Sequence, residues 1–221
     1  HLEPISMHAP TSDMVEQLIP LANALDMKFI GIGMETMLND DAVHAFAGKL
    51  NRLGKACAEN GLTLTYHNHT QEFLPCEDKK VIDILMEETD PKYVSFELDA
   101  GWCAAAGFDP LALVEQYSGR IKLIHVKESD RVIGPQQPID FGSVPKDEKG
   151  MPVLPEELKR QMEEMDKTNC VAGKGLVDWK VLKETADRHG CQAYIVEREY
   201  APEGKRLEYL QADLDYYRTQ I

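Results

Sequence analysis

Four short apolar runs in this sequence end in side chains able to hold a metal ion. His67, His69 and Glu72 fall in the segment YHNHTQEF, Asp99 ends YVSFELD, His125 lies in IKLIHVK, and Glu197 and Glu199 lie in AYIVERE. A carboxylate or imidazole within an apolar run is costly to bury unless it is paired, hydrogen-bonded or bound to metal. One such residue is more often a satisfied core polar group than a ligand. Four consecutive runs ending this way are harder to explain by packing alone. Residue types alone leave open which of these side chains would hold an ion together. The set contains no thiolate. A mixed oxygen and nitrogen donor set suits Mn²⁺, the first choice, or Mg²⁺, Co²⁺ or Zn²⁺ better than a structural zinc. Such an ion can chelate two adjacent oxygens of a hydroxy-ketone and acidify the C–H between them. A neighbouring carboxylate or imidazole then removes the proton. The resulting enediolate can be reprotonated, which is isomerisation or epimerisation, or it can expel a β-leaving group, which is dehydration or lyase chemistry.

These residues need elements to place them. Apolar runs at 5–8, 28–34, 62–68, 93–99, 121–127 and 193–199 predict six strands. Helical patterns separate them. Ser12 can cap a helix with Met14, Leu18, Leu21 and Leu25 on one face, strained by Pro20. Asn39 or Asp40 can cap a helix carrying Val43, Phe46, Leu50, Leu53 and Cys57, closed by Gly61. A helix is expected around 77–89. Asp109-Pro110 is a cap followed by proline at the first helical position, with Gly119 closing that helix. Asp178 can cap a helix through Trp179, Leu182 and Ala186, and a last amphipathic helix carries Leu207, Leu210, Leu214 and Tyr217. Strands alternating with helices imply βα units and a parallel sheet, an α/β fold in one domain spanning 1–221. In a (β/α)8 barrel every strand C-terminus opens on one face, so the polar strand ends would converge. The exception to the rhythm is 131–155, a Pro- and Gly-rich stretch that reads equally as a lid over the site or as an insertion.

Composition narrows the classes. The 221 residues are 43% hydrophobic, enough for a sizeable core, and the net charge of -14 repels phosphate backbones, so nucleic acid is not an expected partner. No apolar run approaches the roughly 18 residues of a membrane span. The five cysteines form no CxxC pair, and reduced thiols in a cytoplasm are the simplest reading. Gly31-x-Gly33 is too short for a phosphate loop and lacks the third glycine of a dinucleotide fingerprint. His44 and His189 read as surface residues and Trp179 as core.

The ordered segments YHNHTQEF, LDAGWCAAAGFDP, GRIKLIHVKESDR, GKGLVDW and YIVEREY resemble those of the xylose-isomerase-like TIM barrels, the sugar phosphate isomerase/epimerase superfamily. The resemblance covers about 60–200. It implies that Asp99, His125 and Glu197 are metal ligands, with the fourth ligand open between Glu72 and the histidines of YHNH, and that Arg131, Lys127 and Trp102 face a substrate, with Lys127 and Arg131 orienting its oxygens. His8 and Glu199 are further candidates for the pocket. Epimerases of that family pair two glutamates, and the strand position of one of them is occupied here by His67, with Glu72 just beyond. His67 or His69 would then serve as base alongside Glu197, and the balance shifts toward elimination, as in inosose dehydratases and C-glycoside deglycosidases. The resemblance also makes the first visible strand the family's third, so two βα units are expected to be missing from this polypeptide or supplied by another chain.

The leading expectation is therefore a metal-dependent isomerase or epimerase of a sugar or keto-sugar, with a dehydratase or lyase of the same superfamily as the alternative. Two other readings are a non-catalytic barrel subunit, against which the intact ligand set argues, and a DNA-repair nuclease barrel, against which the charge argues. The expected partners are a small sugar derivative and a second copy or another chain.

Overall fold

The computed structural model describes residues 2–140, 143–148 and 153–221. All six expected strands form, a residue or more shorter than their apolar runs at most ends. They are β1 (Ser6–Ala9), β2 (Phe29–Ile32), β3 (Thr63–His67), β4 (Val94–Asp99), β5 (Ile121–Val126) and β6 (Ala193–Val196). They pair in sequence order, and every pairing is parallel. Parallel strands need crossover connections, and helices supply them. A doubly wound sheet would reverse its strand order at a switch point, whereas unbroken sequential order is that of a barrel. Among the described residues β1 and β6 are the sheet's edges, so the six strands do not close on one another.

The helices are α1 (Val15–Ala24), α2 (Asp40–Glu59), α3 (Val81–Glu88), α4 (Ala100–Ala105), α5 (Pro110–Gln116), α6 (Glu156–Asp166), α7 (Trp179–Arg188) and α8 (Arg206–Gln220). Caps fall where side chains can serve the free N–H groups: Asn39 accepts from Ala42 N at 2.9 Å, Asp109 from Leu111 N at 2.9 Å and Asp178 from Val181 N at 3.2 Å. The expected stripe of α2 is the buried one, with Ala47 and Gly54 added. Gly54 permits close packing, since a Cβ there would lie 2.7 Å from the Tyr93 carbonyl oxygen.

Four expectations need correction. A 3₁₀ turn at Ser12–Met14 precedes α1, whose buried residues are Val15, Ile19 and Ala22, one position on from the expected stripe, while Leu21 and Leu25 face outward. Ser12 makes no cap and instead receives a hydrogen bond from Lys49 at 2.5 Å. The helix expected from 77 begins only at Val81, because Pro75–Cys76 and Lys79–Lys80 form a tight antiparallel pair. In α8 the one buried residue is Asp213, and Leu207 is 80% exposed. The short helix α4, directly after β4, has no counterpart in the sequence reading.

Candidate active site

The sheet brings the polar strand ends together because side chains alternate across each strand. Glu97 and Asp99, two residues apart on β4, share one face with His67 at the end of β3 and His125 on β5. The register aligns His67 with Glu97 and Asp99 with His125. Two groups of potential metal donors result: Asp99, His125 and Glu197, and His8, His67, Glu97 and His125. His125 belongs to both. Its Nδ1 lies 3.1 Å from Glu197 and its Nε2 makes a short hydrogen bond to Glu97. The His67 Nε2 is 3.8 Å from Asp99 Oδ2.

Asp99 is anchored on both sides. One carboxylate oxygen caps α4 by accepting from Trp102 N at 2.7 Å, and Asn68 brackets the backbone of Asp99 through its amide. The other oxygen, Oδ2, is buried without a hydrogen-bond partner, as is Nδ1 of both His67 and His69. Burial pushes the Asp99 carboxyl up to about 7. Burial also opposes charge on His125, but its hydrogen bonds to Glu197 and Glu97 raise it to about 10. Glu97, despite burial, is held down at about 2 by hydrogen bonds with His125 and His8. Burial opposes charge on Glu197 too, and its bond with His125 lowers it nonetheless. Burial drives His67 well below the ordinary histidine value, helped by the neighbouring His125, and it lowers His69 as well. An orphaned carboxylate oxygen facing an imidazole in a dry interior fits a bound cation, and the nitrogen and oxygen donors suit a divalent ion.

The other expected residues divide. Lys127 is 2% exposed, packs its ammonium 3.9 Å from the centre of the Trp102 ring and pairs with Glu199. His69, Trp102 and Glu199 line a cavity of about 1390 Å³, together with Met34, Gln71 and residues of the 131–155 stretch and α6. That stretch is tied across the site: Ile133 and Gly134 donate to Ala105 O, and Gln136 N to Thr70 Oγ1 at 3.3 Å. His8 reaches Glu97 at 3.0 Å. Glu72 lies in neither donor group. It is buried with its oxygens engaged by the Tyr66 hydroxyl at 2.6 Å, His69 N at 2.7 Å and Gln71 Nε2 at 3.0 Å, and so it braces the loop after β3. Arg131 does not line the cavity. Its side chain is 59% exposed and paired with Asp130.

Glu97 joins the site although it is not among the expected residues. The signal was available, since a residue two before Asp99 shares its strand face. Glu128 is also outside the expected set, a buried carboxylate that accepts from Gly173, Leu176 and Val177 N–H groups and from Trp179 Nε1 and so fixes the GKGLVDW segment.

Comparison with known proteins bears on the fold and family of the chain. The chain is 32% identical over 154 residues to an inosose dehydratase of Geobacillus thermodenitrificans and 31% identical over 165 residues to one of Lacticaseibacillus casei. These alignments take in 69% and 74% of this chain but 46% and 49% of the relatives, so it spans about half the length of the curated relatives it matches. Among solved structures, a sugar phosphate isomerase/epimerase of Parabacteroides distasonis superposes with a TM-score of 0.72 at 20% identity, covering 97% of this chain and 70% of that one. A structure described as IOLI protein with a binding zinc atom superposes with a TM-score of 0.64 at 13% identity, covering 98% of this chain and 76% of that one. Likeness at such identities concerns the fold. Residues 7–220 match the family described as the xylose isomerase-like TIM barrel. With sequential parallel strands and donors gathered at their C-terminal ends, the chain belongs to that family.

Proposed function

We propose that this site belongs to a divalent-metal-dependent lyase that dehydrates a keto-polyol or keto-sugar of the inosose class. The observation that carries the reading is His67, an imidazole beside Asp99 at the end of β3, where a paired-glutamate epimerase needs a carboxylate. The names of the relatives, inosose dehydratases, favour the same reaction. Asp99, His125 through Nδ1 and Glu197 hold the ion, and His67 is the fourth donor. When bound, the ion supplies Lewis-acid polarisation of the substrate carbonyl.

The chain's own groups do the rest. His69 lines the cavity and burial keeps its imidazole neutral, so it takes the proton from the carbon next to the carbonyl. The electron pair forms the new C=C as the β-hydroxyl departs, protonated to water by the Lys127 ammonium. Trp102 and Glu199, which line the cavity, hold that ammonium just behind its wall. The tied part of the 131–155 stretch acts as a lid that excludes bulk water. Glu197, kept ionised by His125, is a second base and favours isomerisation or epimerisation as the second reading.

The test is incubation with a 2-keto-inositol in D₂O after loading with Mn²⁺. Loss of one water, with enone absorbance, is expected from the wild type, and Asp99→Ala and His125→Ala should lose both metal and turnover. Deuterium incorporation into an epimer without water loss would favour the second reading. Full turnover by metal-free protein would refute both.

A further inference from the structure

Glu97 is a fully buried carboxylate with no place in the proposed reaction. It nevertheless gathers three partners: His125 Nε2 and His8 Nε2 at Oε1, the latter at 3.0 Å, and the Thr65 hydroxyl at Oε2, 3.0 Å away. The backbone is shaped for this. In the strand register Gly31 lies between His8 and Thr65, and a Cβ there would come within 2.4 Å of the His8 ring and 3.1 Å of Glu97. A Cβ at Gly33 would meet His8 Nδ1 at 3.1 Å. The Gly31-x-Gly33 pair is thus the shelf on which the His8 ring crosses β2 to reach Glu97. The His8 and His125 rings stack 5.7 Å apart at 18°, both turned to the one carboxylate oxygen.

We infer that Glu97 is a positioning residue for the metal: by accepting from His125 Nε2–H it fixes the tautomer that leaves Nδ1 free to ligate, and His8, Thr65 and the two glycines hold Glu97 in place. Carboxylates that orient a ligating imidazole act this way in metal sites generally. Glu97 is not itself a ligand in this arrangement, because Oε1 and Oε2 are already engaged by three donors. The inference rests on the assignment of Asp99, His125 and Glu197 as ligands but not on the reaction.

The experiment titrates the purified chain with Mn²⁺ and with Zn²⁺ against a competing chelator, and reads ¹⁵N shifts of the histidine rings in the Zn²⁺ form. The wild type should bind one equivalent, with His125 protonated only at Nε2. Glu97→Gln should keep that stoichiometry but bind about 10–100-fold more weakly, with His125 in mixed tautomers. Gly31→Ala, which displaces His8 without touching a ligand, and Thr65→Val should shift affinity the same way by less. Thermal unfolding in chelator checks that each variant folds, and the milder pair keeps the test open where Glu97→Gln does not. Unchanged affinity and tautomer in the folded variants would overturn the inference alone. So would two equivalents in the wild type with one lost in Glu97→Gln, which would make Glu97 a ligand of a second ion. A wild type that binds no stoichiometric metal would overturn both the inference and the proposed function.

Discussion

Each buried polar side chain of the site is costly alone and is made tolerable by a specific neighbour. Exceptions are His67 and His69, each with one ring nitrogen left over, and Asp99, with one oxygen left over, and the protonation state of Asp99 sets a pH dependence. Its folded value of about 7 exceeds the ordinary 3.8, so the fold favours the protonated form. In metal-free protein that contribution is complete below the ordinary value and is lost as pH rises through about 7. His125 has the same sign: raised from 6.5 to about 10, it stabilises below the ordinary value and ceases to as pH climbs through about 10. Glu97, lowered to about 2, contributes throughout this range and is lost only in strong acid. Metal-free protein should therefore melt at a lower temperature at pH 9 than at pH 6. Added Mn²⁺ should raise the melting temperature more at the higher pH, where the ligands are freer of protons. Scans in chelator and in excess Mn²⁺ at both pH values check this, and a metal effect larger at pH 6 would contradict the ligand assignment.

The elements succeed where local chemistry and packing agree. Helix α2 has a side-chain cap, an apolar stripe of the right period and a glycine where it crosses the start of β4. Gly54→Ala tests that crossing. The helix gains about 1 kcal/mol in propensity, but forcing a methyl against the Tyr93 carbonyl costs about 1–3 kcal/mol. The expected net loss is on the order of 1 kcal/mol, seen as a lower urea midpoint, and a raised midpoint would mean that the helix can slide away from the strand. Helix α1 shows the opposite case, a correctly recognised helix that packs by a different face, through Val15, Ile19 and Ala22. Helix α4 was hidden because AGWCAA follows its strand without a break, and its cap, Asp99, is also a candidate ligand.

At the scale of the molecule, the last βα unit is closed by a buried ion pair of its own, which also ties it to the preceding backbone by hydrogen bonds. Arg198, just past β6, makes a two-pronged bond to Asp213 of α8 and also donates to Cys170 O, while Asp213 accepts from Ala172 N. Arg198 is 7% exposed and Asp213 1%. Removing one partner strands a buried charge, so Asp213→Ala should cost about 3–5 kcal/mol in unfolding free energy. Denaturant unfolding measures it, and a change below about 1 kcal/mol, the usual worth of an exposed pair, would show that solvent reaches Arg198. Among the described residues no helix is long and apolar enough to cross a membrane.

The sequence by itself determined the strand order, most of the helices between the strands, the parallel sheet and the convergence of Asp99, His125 and Glu197, because these follow from short-range patterns: the period of apolar residues, helix caps and polar ends of apolar runs. Their ordered likeness to one family added the barrel. Tertiary structure alone decided which polar groups are partners across strands. Glu72 lies next to the site in sequence but is consumed by Tyr66 and a loop N–H, and Arg131 turns to the surface with Asp130. Glu97 joins His8, 89 residues away, because a glycine in the strand between them leaves room for a ring. Such contacts depend on register between distant strands, which no local pattern encodes.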